Sequence, residues 1–304
     1  MAEAGREIAL RIDTAFKNDR LSQGALDALK RMPSTGLILG TPPSELDSDE
    51  LLLVTVMPDD STSQNRVVKR KSAPTVAPYS HRPMLEGEVS QTAIANYEIT
   101  YVEADHPESN AEATRIGHNH VVDALLASPH PDSVLLATRY LSGQLLNPYG
   151  PLISAHRLSI HNFTPNRGTP LYDQTVETLK MVLAKYEQVK ADWREARTAT
   201  LLVTDGLDEH SRIQNAASVA EIIKSMRSTS HHIVAAMGIS DGSTDFRRVF
   251  IAMGIDPKWI LTPGSTKEDI LKAFGLFAEK VSQATRPESF PFLLASGFGP
   301  LVKI

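Results

Sequence analysis

Short apolar runs and longer amphipathic segments alternate through most of the chain. Apolar runs rich in branched side chains are typical of strands buried in a parallel sheet, and apolar residues at helical spacing are typical of helices that cover one. The runs predict strands at 51–57, 133–140 with a hairpin partner at 144–146, 199–204, 231–237 and 259–261. The amphipathic segments predict helices at 109–126, 170–190, 214–228, 245–253 and 267–283. This alternation predicts the α/β class, with a doubly wound, mostly parallel sheet and helices on both faces.

The same pattern divides the chain into three parts. Residues 1–45 form a predicted N-terminal helical extension, in which the helical spacing of apolar residues stops near Pro33. Residues 46–285 hold the α/β domain. Residues 286–304 form a C-terminal tail rich in Pro, Phe and Gly. The tail fits either an extended segment packed on the domain or a segment that docks on a partner.

The stretch at 64–108 interrupts the domain directly after the first predicted strand. It combines a basic cluster at 66–71, several prolines and the alternating residues Tyr97, Ile99 and Tyr101. A loop of this length inside a compact domain is uncommon, and is usually either functional or disordered. We therefore expect a long inserted loop with room for one hairpin.

Composition and charge narrow the classes of protein. The net charge is -5, with acidic and basic residues mixed along the chain, which argues against a nucleic-acid binder with a wide basic surface. The absence of cysteine excludes disulfides, thiolate metal sites and a cysteine nucleophile. Residues 1–11 lack the apolar core of a signal peptide, and the apolar run at 51–57 is far shorter than the roughly 20 residues of a membrane-spanning helix. We expect a cytoplasmic protein without a membrane segment.

Polar side chains that suit a metal ion follow three of the predicted elements. Asp59, Ser61 and Ser63 come just after the first strand, and in an extended backbone they would point to the same side. Thr169 opens a predicted helix, and Asp205 ends a predicted strand. The carboxyl ends of strands near a topological switch point converge in one crevice. Carboxylates and hydroxyls without sulfur favour a hard cation, so these residues predict a site for Mg²⁺ or Mn²⁺.

Each of these segments also has an ordinary structural explanation. Polar residues after strands form turns, Asp-Gly at 205–206 is a common turn dipeptide, and Thr169 before Pro170 suits a helix N-cap. Their joint occurrence, in order, at the edge of one predicted sheet favours a metal site over three independent turns.

Three motifs carry a resemblance to a known family. They are D-x-S-x-S at 59–63, G-T-P-L at 168–171 and T-D-G at 204–206. In this combination the chain resembles the von Willebrand factor A (vWA) family, whose metal-ion-dependent adhesion site uses these residue types in this order. The segments at 116–119 and 232–239 are similar to bacterial intracellular members. The resemblance spans about residues 50–284 and implies a Rossmann-like vWA fold.

The resemblance also implies a function. Ser61, Ser63 and Thr169 would bind the cation directly, and Asp59 and Asp205 would bind it directly or through water. The cation would then hold a Glu or Asp carboxylate of a partner protein, which makes the chain an adaptor or scaffold. Intracellular relatives often work with AAA+ ATPases, so such a partner is a further expectation.

Two other functions stay open at this point. A divalent ion beside Asp59 and Asp205 could assist phosphoryl transfer or hydrolysis, but no convincing general base, nucleophile or phosphate-binding glycine loop accompanies it, so we expect no enzyme. An RNA-binding member of the fold would depend on the basic cluster at 66–71, and we do not expect nucleic acid as a partner. His120 falls on the apolar stripe of its helix, which predicts a buried structural histidine rather than a ligand.

The 64–108 stretch is longer than the family's usual connection at this point and would emerge beside the metal. Its carboxylates could block the open metal position, its basic residues could attract an acidic partner, or the stretch could be disordered. The carboxylates concerned are Glu86, Glu88, Glu98, Glu103 and Asp105.

Overall fold

A six-stranded sheet forms the centre of the structure, a computed structural model that describes residues 21–32, 37–70, 97–101, 106–192 and 194–299. The strands in chain order are β1 (Glu50–Met57), β2 (Arg66–Arg70), β3 (Tyr97–Tyr101), β4 (Val134–Arg139), β5 (Leu145–Pro151), β6 (Glu195–Thr204), β7 (His232–Gly238) and β8 (Ile260–Leu261). The central sheet has the order β5-β4-β1-β6-β7-β8. All its neighbours are parallel except the antiparallel pair of β4 and β5.

The chain reverses its direction of travel across the sheet between β1 and β6. From β1 it moves outward to β4 and β5, and then returns to place β6 on the other side of β1. Met57 at the end of β1 pairs with Leu202 near the end of β6, so the two carboxyl ends lie side by side. This is the topological switch point at which α/β sheets bind ligands. The predicted doubly wound, mostly parallel α/β sheet is confirmed.

Helices cover both faces of the sheet, and their bounds follow capping residues. They are α1 (Gln23–Arg31), α2 (Asn110–Leu126), α3 (Leu171–Ala191), α4 (Ala216–Ser228), α5 (Phe246–Ala252), α6 (Lys267–Ala284) and α7 (Phe290–Ser296). The side chains of Ser109, Asn215 and Thr266 accept backbone N–H groups in the first turns of α2, α4 and α6. Leu51 and Leu53 of β1 belong to one apolar cluster, and Leu52 and Val54 to another, because alternate residues face opposite sides.

The N-terminal helix α1 belongs to the packed core. Its residues Ala25, Ala28 and Leu29 are buried, and the Lys180 ammonium of α3 donates to the carbonyls of Leu29 (3.1 Å) and Met32 (2.9 Å) at its C-terminal end. The predicted helical end near Pro33 agrees with α1, while the helical prediction for residues 1–20 lies outside the described residues.

The inserted stretch contains the hairpin pairing that its alternating residues suggested. Strands β2 and β3 form a separate two-stranded antiparallel sheet, in which Arg66 pairs with Tyr101 and Arg70 with Tyr97. Of the five carboxylates that could block the open metal position, Glu98 lies on β3. The other four, Glu86, Glu88, Glu103 and Asp105, lie outside the described residues.

The C-terminal tail is helical where it is described, so the expected extended conformation is wrong for residues 287–296, while docking on a partner stays a prediction. A turn at Pro287–Ser289 leads into α7, whose Phe290 and Leu293 are buried. Phe298 then packs edge-on against Trp259, with 4.9 Å between the ring centroids. Apolar packing therefore brings this segment onto the domain.

The histidine prediction for α2 was wrong about the residue. His118 is fully buried and its Nε2 lies 2.9 Å from Thr138 Oγ1, whereas His120 is exposed. The buried face is set by close packing on α6, where Gly117 leaves no space for a Cβ beside the Phe274 ring.

Within the described residues, no helix is long and apolar enough to cross a bilayer.

Candidate metal centre

The carboxylate of Asp59 joins the ends of β1 and β6. Asp59 is fully buried, its Oδ1 accepts the Ser61 backbone N–H at 2.8 Å, and its Oδ2 accepts the Thr204 hydroxyl at 2.7 Å. The Thr204 hydroxyl is held in turn by the Gly206 backbone N–H at 3.2 Å. These bonds fix the side chain at the switch point between the two strands.

Two serine hydroxyls connect this position to Asp205. Ser61 Oγ and Ser63 Oγ lie 2.7 Å apart, and the Ser63 hydroxyl donates to Asp205 Oδ1. The predicted extended row of residues 59, 61 and 63 is wrong beyond Ser61, because a 3-10 turn begins at Thr62. The turn nevertheless brings Ser63 beside Ser61, so the two hydroxyls meet although the backbone is not extended.

Thr169 reaches the same place from a different loop. A Cβ placed on Gly206 would lie 3.6 Å from Ser63 Oγ and 3.6 Å from Thr169 Oγ1, so both hydroxyls border the glycine next to Asp205. The structure therefore brings Asp59, Ser61, Ser63, Thr169 and Asp205 together at the carboxyl ends of β1 and β6.

The first turn of α3 does not depend on Thr169 for capping. The helix begins at Leu171 with Pro170 as its N-cap, one residue later than the sequence suggested. The backbone N–H of Tyr172 donates to Asp208 Oδ1 at 3.2 Å, and that of Asp173 donates to Ser211 Oγ at 2.9 Å. The alternative role of Thr169 as a helix cap is thus filled by other side chains.

The loops that carry these side chains are tied to one another. The Thr169 carbonyl accepts the backbone N–H groups of Glu209 (3.1 Å) and His210 (3.4 Å), and the Thr169 N–H donates to His210 Nδ1 at 3.0 Å. The Asp173 carboxylate accepts three further N–H groups from residues 212–214. Such a network holds the side chains in place before any ligand arrives.

Burial and mutual repulsion shape the electrostatics of the site. Desolvation raises the pKa of Asp59 to about 7, and the nearby Asp205 charge adds to the rise. Burial also raises the pKa of Asp205, although hydrogen bonds from Ser63 and Asn110 work against the rise. Two buried carboxylates at one point are costly when both are ionised, and a cation between them would relieve that cost.

The donor set fits a hard divalent cation. Among the described residues there is no group of three or more His, Asp or Glu side chains able to hold a metal, so Asp59 and Asp205 have no third ligand of these types beside them. The hydroxyls of Ser61, Ser63 and Thr169 supply oxygen atoms beside two carboxylates. Oxygen ligands of this kind suit Mg²⁺ or Mn²⁺ better than zinc or copper.

Two residues at the site were missed by the sequence interpretation. Thr204 was visible within the T-D-G motif, and its place at a strand end was a usable signal. Asn110 donates from Nδ2 to Asp205 Oδ2 at 2.9 Å, and it gave no signal because it follows the long insertion. Its Oδ1 is buried and finds no hydrogen-bond partner in the described part of the chain.

No protein-family model matches the sequence. No curated protein matches it either.

Solved structures match over most of the chain. They include the pilus adhesin SpaC from Lactobacillus rhamnosus GG, with 11% identity, a TM-score of 0.50, and coverage of 79% of this chain and 32% of SpaC. The SpRpn10 VWA domain matches with 9% identity, a TM-score of 0.44, and coverage of 75% of this chain and 95% of the domain. A von Willebrand factor type A protein from Catenulispora acidiphila matches with 12% identity, a TM-score of 0.41, and coverage of 77% of this chain and 43% of that protein.

These matches concern the fold and not the chemistry. This chain spans about a third of SpaC and less than half of the Catenulispora protein, so it is similar to one part of each. At 11% identity, the likeness to SpaC shows a shared α/β fold alone.

Proposed function

We propose that this chain is a vWA-type binding module that holds a divalent cation, Mg²⁺ or Mn²⁺, through Asp59, Ser61, Ser63, Thr169 and Asp205. The cation would hold an acidic side chain of a partner protein. One observation carries this proposal: side chains from three separated loops converge at the switch point, in hydrogen-bonding or contact distance of one another.

The chemistry of the residues supports this site, because the hydroxyls and the carboxylates contribute differently. Ser61, Ser63 and Thr169 offer neutral oxygens, and Asp59 and Asp205 offer charge from a buried position. When bound, a divalent cation supplies a positive charge that attracts a carboxylate. Neutral hydroxyls as direct ligands leave more of that charge for the partner than further carboxylates would, because each carboxylate cancels part of it.

The surroundings favour binding over catalysis. One histidine, His210, contacts a proposed ligand residue in the described part of the chain. Its Nδ1 accepts the Thr169 N–H. The lone pair of Nδ1 is therefore engaged by the backbone and is not available as a base. The exposed side chain of Leu207 beside Gly206 offers an apolar contact of the kind that protein partners use.

Two finer expectations rest on the family resemblance and stay predictions. They are a cytoplasmic location and an AAA+ ATPase as the partner. A pull-down from cell extract with Mg²⁺, compared with the same extract in EDTA, would identify a metal-dependent partner and show whether it is an AAA+ ATPase.

Calorimetry of Mg²⁺ and Mn²⁺ binding tests the proposed site. We expect saturable binding by the native chain and at least a tenfold loss in Asp59→Ala and Thr169→Val. Thr62→Val is the matched control, because Thr62 lies in the same region but is exposed. Circular dichroism shows whether each variant folds. Equal binding in all variants would refute the site, as would no binding by the native chain.

An activity screen separates the proposed adaptor from a metal-dependent hydrolase. We expect no turnover of a generic phosphoester in the presence of Mg²⁺. Turnover that Asp59→Ala abolishes would establish the enzyme instead.

A further inference from the structure

Arg167 is anchored beside the proposed ligands by its backbone. Its N–H donates to the Asp60 carbonyl at 3.1 Å, and its carbonyl accepts the Thr62 N–H at 3.1 Å. These two bonds make a parallel β-bridge between Arg167 and Ser61. Arg167 therefore belongs to the rim of the site by main-chain hydrogen bonds that do not involve its side chain.

The bridge also sets the side on which the arginine lies. Residues paired in a parallel bridge carry their side chains on the same face of the pairing. The Ser61 hydroxyl on that face contacts Ser63 within the site. The Arg167 side chain leaves the backbone on the same face and is exposed to solvent.

An acidic residue is also anchored beside the proposed ligands by its backbone. Glu209 is exposed, and its backbone N–H donates to the Thr169 carbonyl at 3.1 Å. The backbone of a cationic residue is thus bonded beside Ser61, and the backbone of an anionic residue is bonded to Thr169. A ligand with a second negative charge is favoured when that charge lies nearer Arg167 than Glu209.

We propose that Arg167 is a second recognition point, and that the partner is a protein segment with two neighbouring carboxylates. One carboxylate would bind at the cation and the other would pair with the Arg167 guanidinium. This inference rests on the proposed function. Guanidinium groups bind carboxylates through two parallel hydrogen bonds, so the pairing would add both affinity and orientation.

A purely structural role for Arg167 is the competing explanation. Its charge acts on Asp60, which is buried and whose Oδ1 accepts the Ser142 N–H at 2.8 Å. If balancing Asp60 were its whole task, replacing Arg167 would change stability and leave ligand choice unchanged. Charge reversal at Arg167 separates the two roles, because only a recognition role predicts a new ligand preference.

The test is selection from a displayed random peptide library on the immobilised full chain in Mg²⁺, with elution by EDTA. We expect the eluted peptides to carry an acidic residue with a second one close by. Synthetic peptides of the selected sequence should bind Arg167→Gln about tenfold more weakly. Arg286→Gln is the matched control, because Arg286 is an exposed arginine away from the site. The helix α6 begins after β8 on the side of the site, and Arg286 lies just after its other end.

Arg167→Glu provides the sharper readout. We expect it to prefer the peptide in which the second acid is replaced by lysine. Selected peptides with a single acid, or equal binding of the two-acid peptide to native and Arg167→Gln chains, would overturn the inference and leave the proposed function intact. If calorimetry shows Mg²⁺ binding but no peptide elutes with EDTA, both the inference and the proposed grip on a carboxylate fail.

Discussion

The Thr204 hydroxyl donates a 2.7 Å hydrogen bond to Asp59 Oδ2, and so links the end of β6 to the residue that follows β1. The bond crosses the switch point of the sheet. It satisfies one oxygen of a fully buried carboxylate, whose hydrogen-bond donors in the described part of the chain are neutral. The orientation of Asp59 is thus set by the neighbouring strand rather than by its own loop alone.

Removing that hydroxyl should weaken both the fold and the site. Thr204→Val leaves Asp59 Oδ2 without its donor, and we expect the free energy of unfolding to fall by about 1–3 kcal/mol. Thr200→Val is the matched control on the same strand, because the buried Thr200 Oγ1 has no hydrogen-bond partner among the described residues. Urea unfolding compares the two. Equal losses would show that the Thr204 bond has no special role.

Stability without metal should fall as the pH rises. The pKa of Asp59 is raised from 3.8 to about 7 in the folded state, mainly by burial. The folded chain therefore holds this proton more tightly than the unfolded chain, and the folded state is penalised once the pH exceeds about 4, fully so above about 7. Asp59→Asn removes the effect.

The measurement is the melting temperature in EDTA at pH 5 and pH 8. We expect Asp59→Asn to gain more stability relative to the native chain at pH 8 than at pH 5, and added Mg²⁺ to reduce the difference. A larger gain at pH 5 would contradict the assigned direction of the pKa shift.

Asp173 should control the order of the loop that follows Asp205. Its Oδ2 accepts the Arg212 N–H at 2.9 Å, and its Oδ1 accepts those of Ile213 (3.1 Å) and Gln214 (2.7 Å). In Asp173→Asn one oxygen becomes a donor, so we expect faster hydrogen exchange at one or more of these amides and a loss of about 1–3 kcal/mol. Asp132→Asn, at an exposed aspartate, is the control. Unchanged exchange at 212–214 would rule out this role.

A methyl group at Gly206 should weaken cation binding without unfolding the chain. The added Cβ would lie 3.6 Å from both Ser63 Oγ and Thr169 Oγ1, which is ordinary contact, so Gly206→Ala is expected to fold. The methyl would crowd the proposed ligands, and we expect Mg²⁺ affinity to drop about tenfold or more.

Gly275→Ala is the control for this substitution. It lies in α6 with nothing within 4 Å of the added Cβ, so we expect it to add up to about 1 kcal/mol of stability and leave Mg²⁺ affinity unchanged. Equal Mg²⁺ affinity in the two variants would place the cation away from Gly206.

The sequence predicted the sheet and the meeting of its strand ends because both follow from periodicity. Buried parallel strands read as apolar runs, and polar residues directly after β1 and β6 must lie near each other at the switch point. The 3-10 turn at Thr62 and the contact of Asn110 with Asp205 were not predictable in this way, because they depend on contacts between segments distant in the chain, such as the 3.1 Å hydrogen bond from Thr114 to Gln64. The sequence predicted His120 as the buried histidine, whereas the structure buries His118. The close packing of Gly117 on Phe274 sets the rotation of α2 about its axis, and periodicity indicates that rotation only roughly.

The central claim is that one divalent cation binds at the carboxyl ends of β1 and β6, and crystals of the full chain grown with Mn²⁺ test it most directly. The predicted result is an anomalous difference peak within coordination distance of the Ser61 and Ser63 hydroxyls, with Thr169 as a further ligand. A peak elsewhere, with Ser61 still bonded to Ser63 and Ser63 to Asp205, would contradict the account.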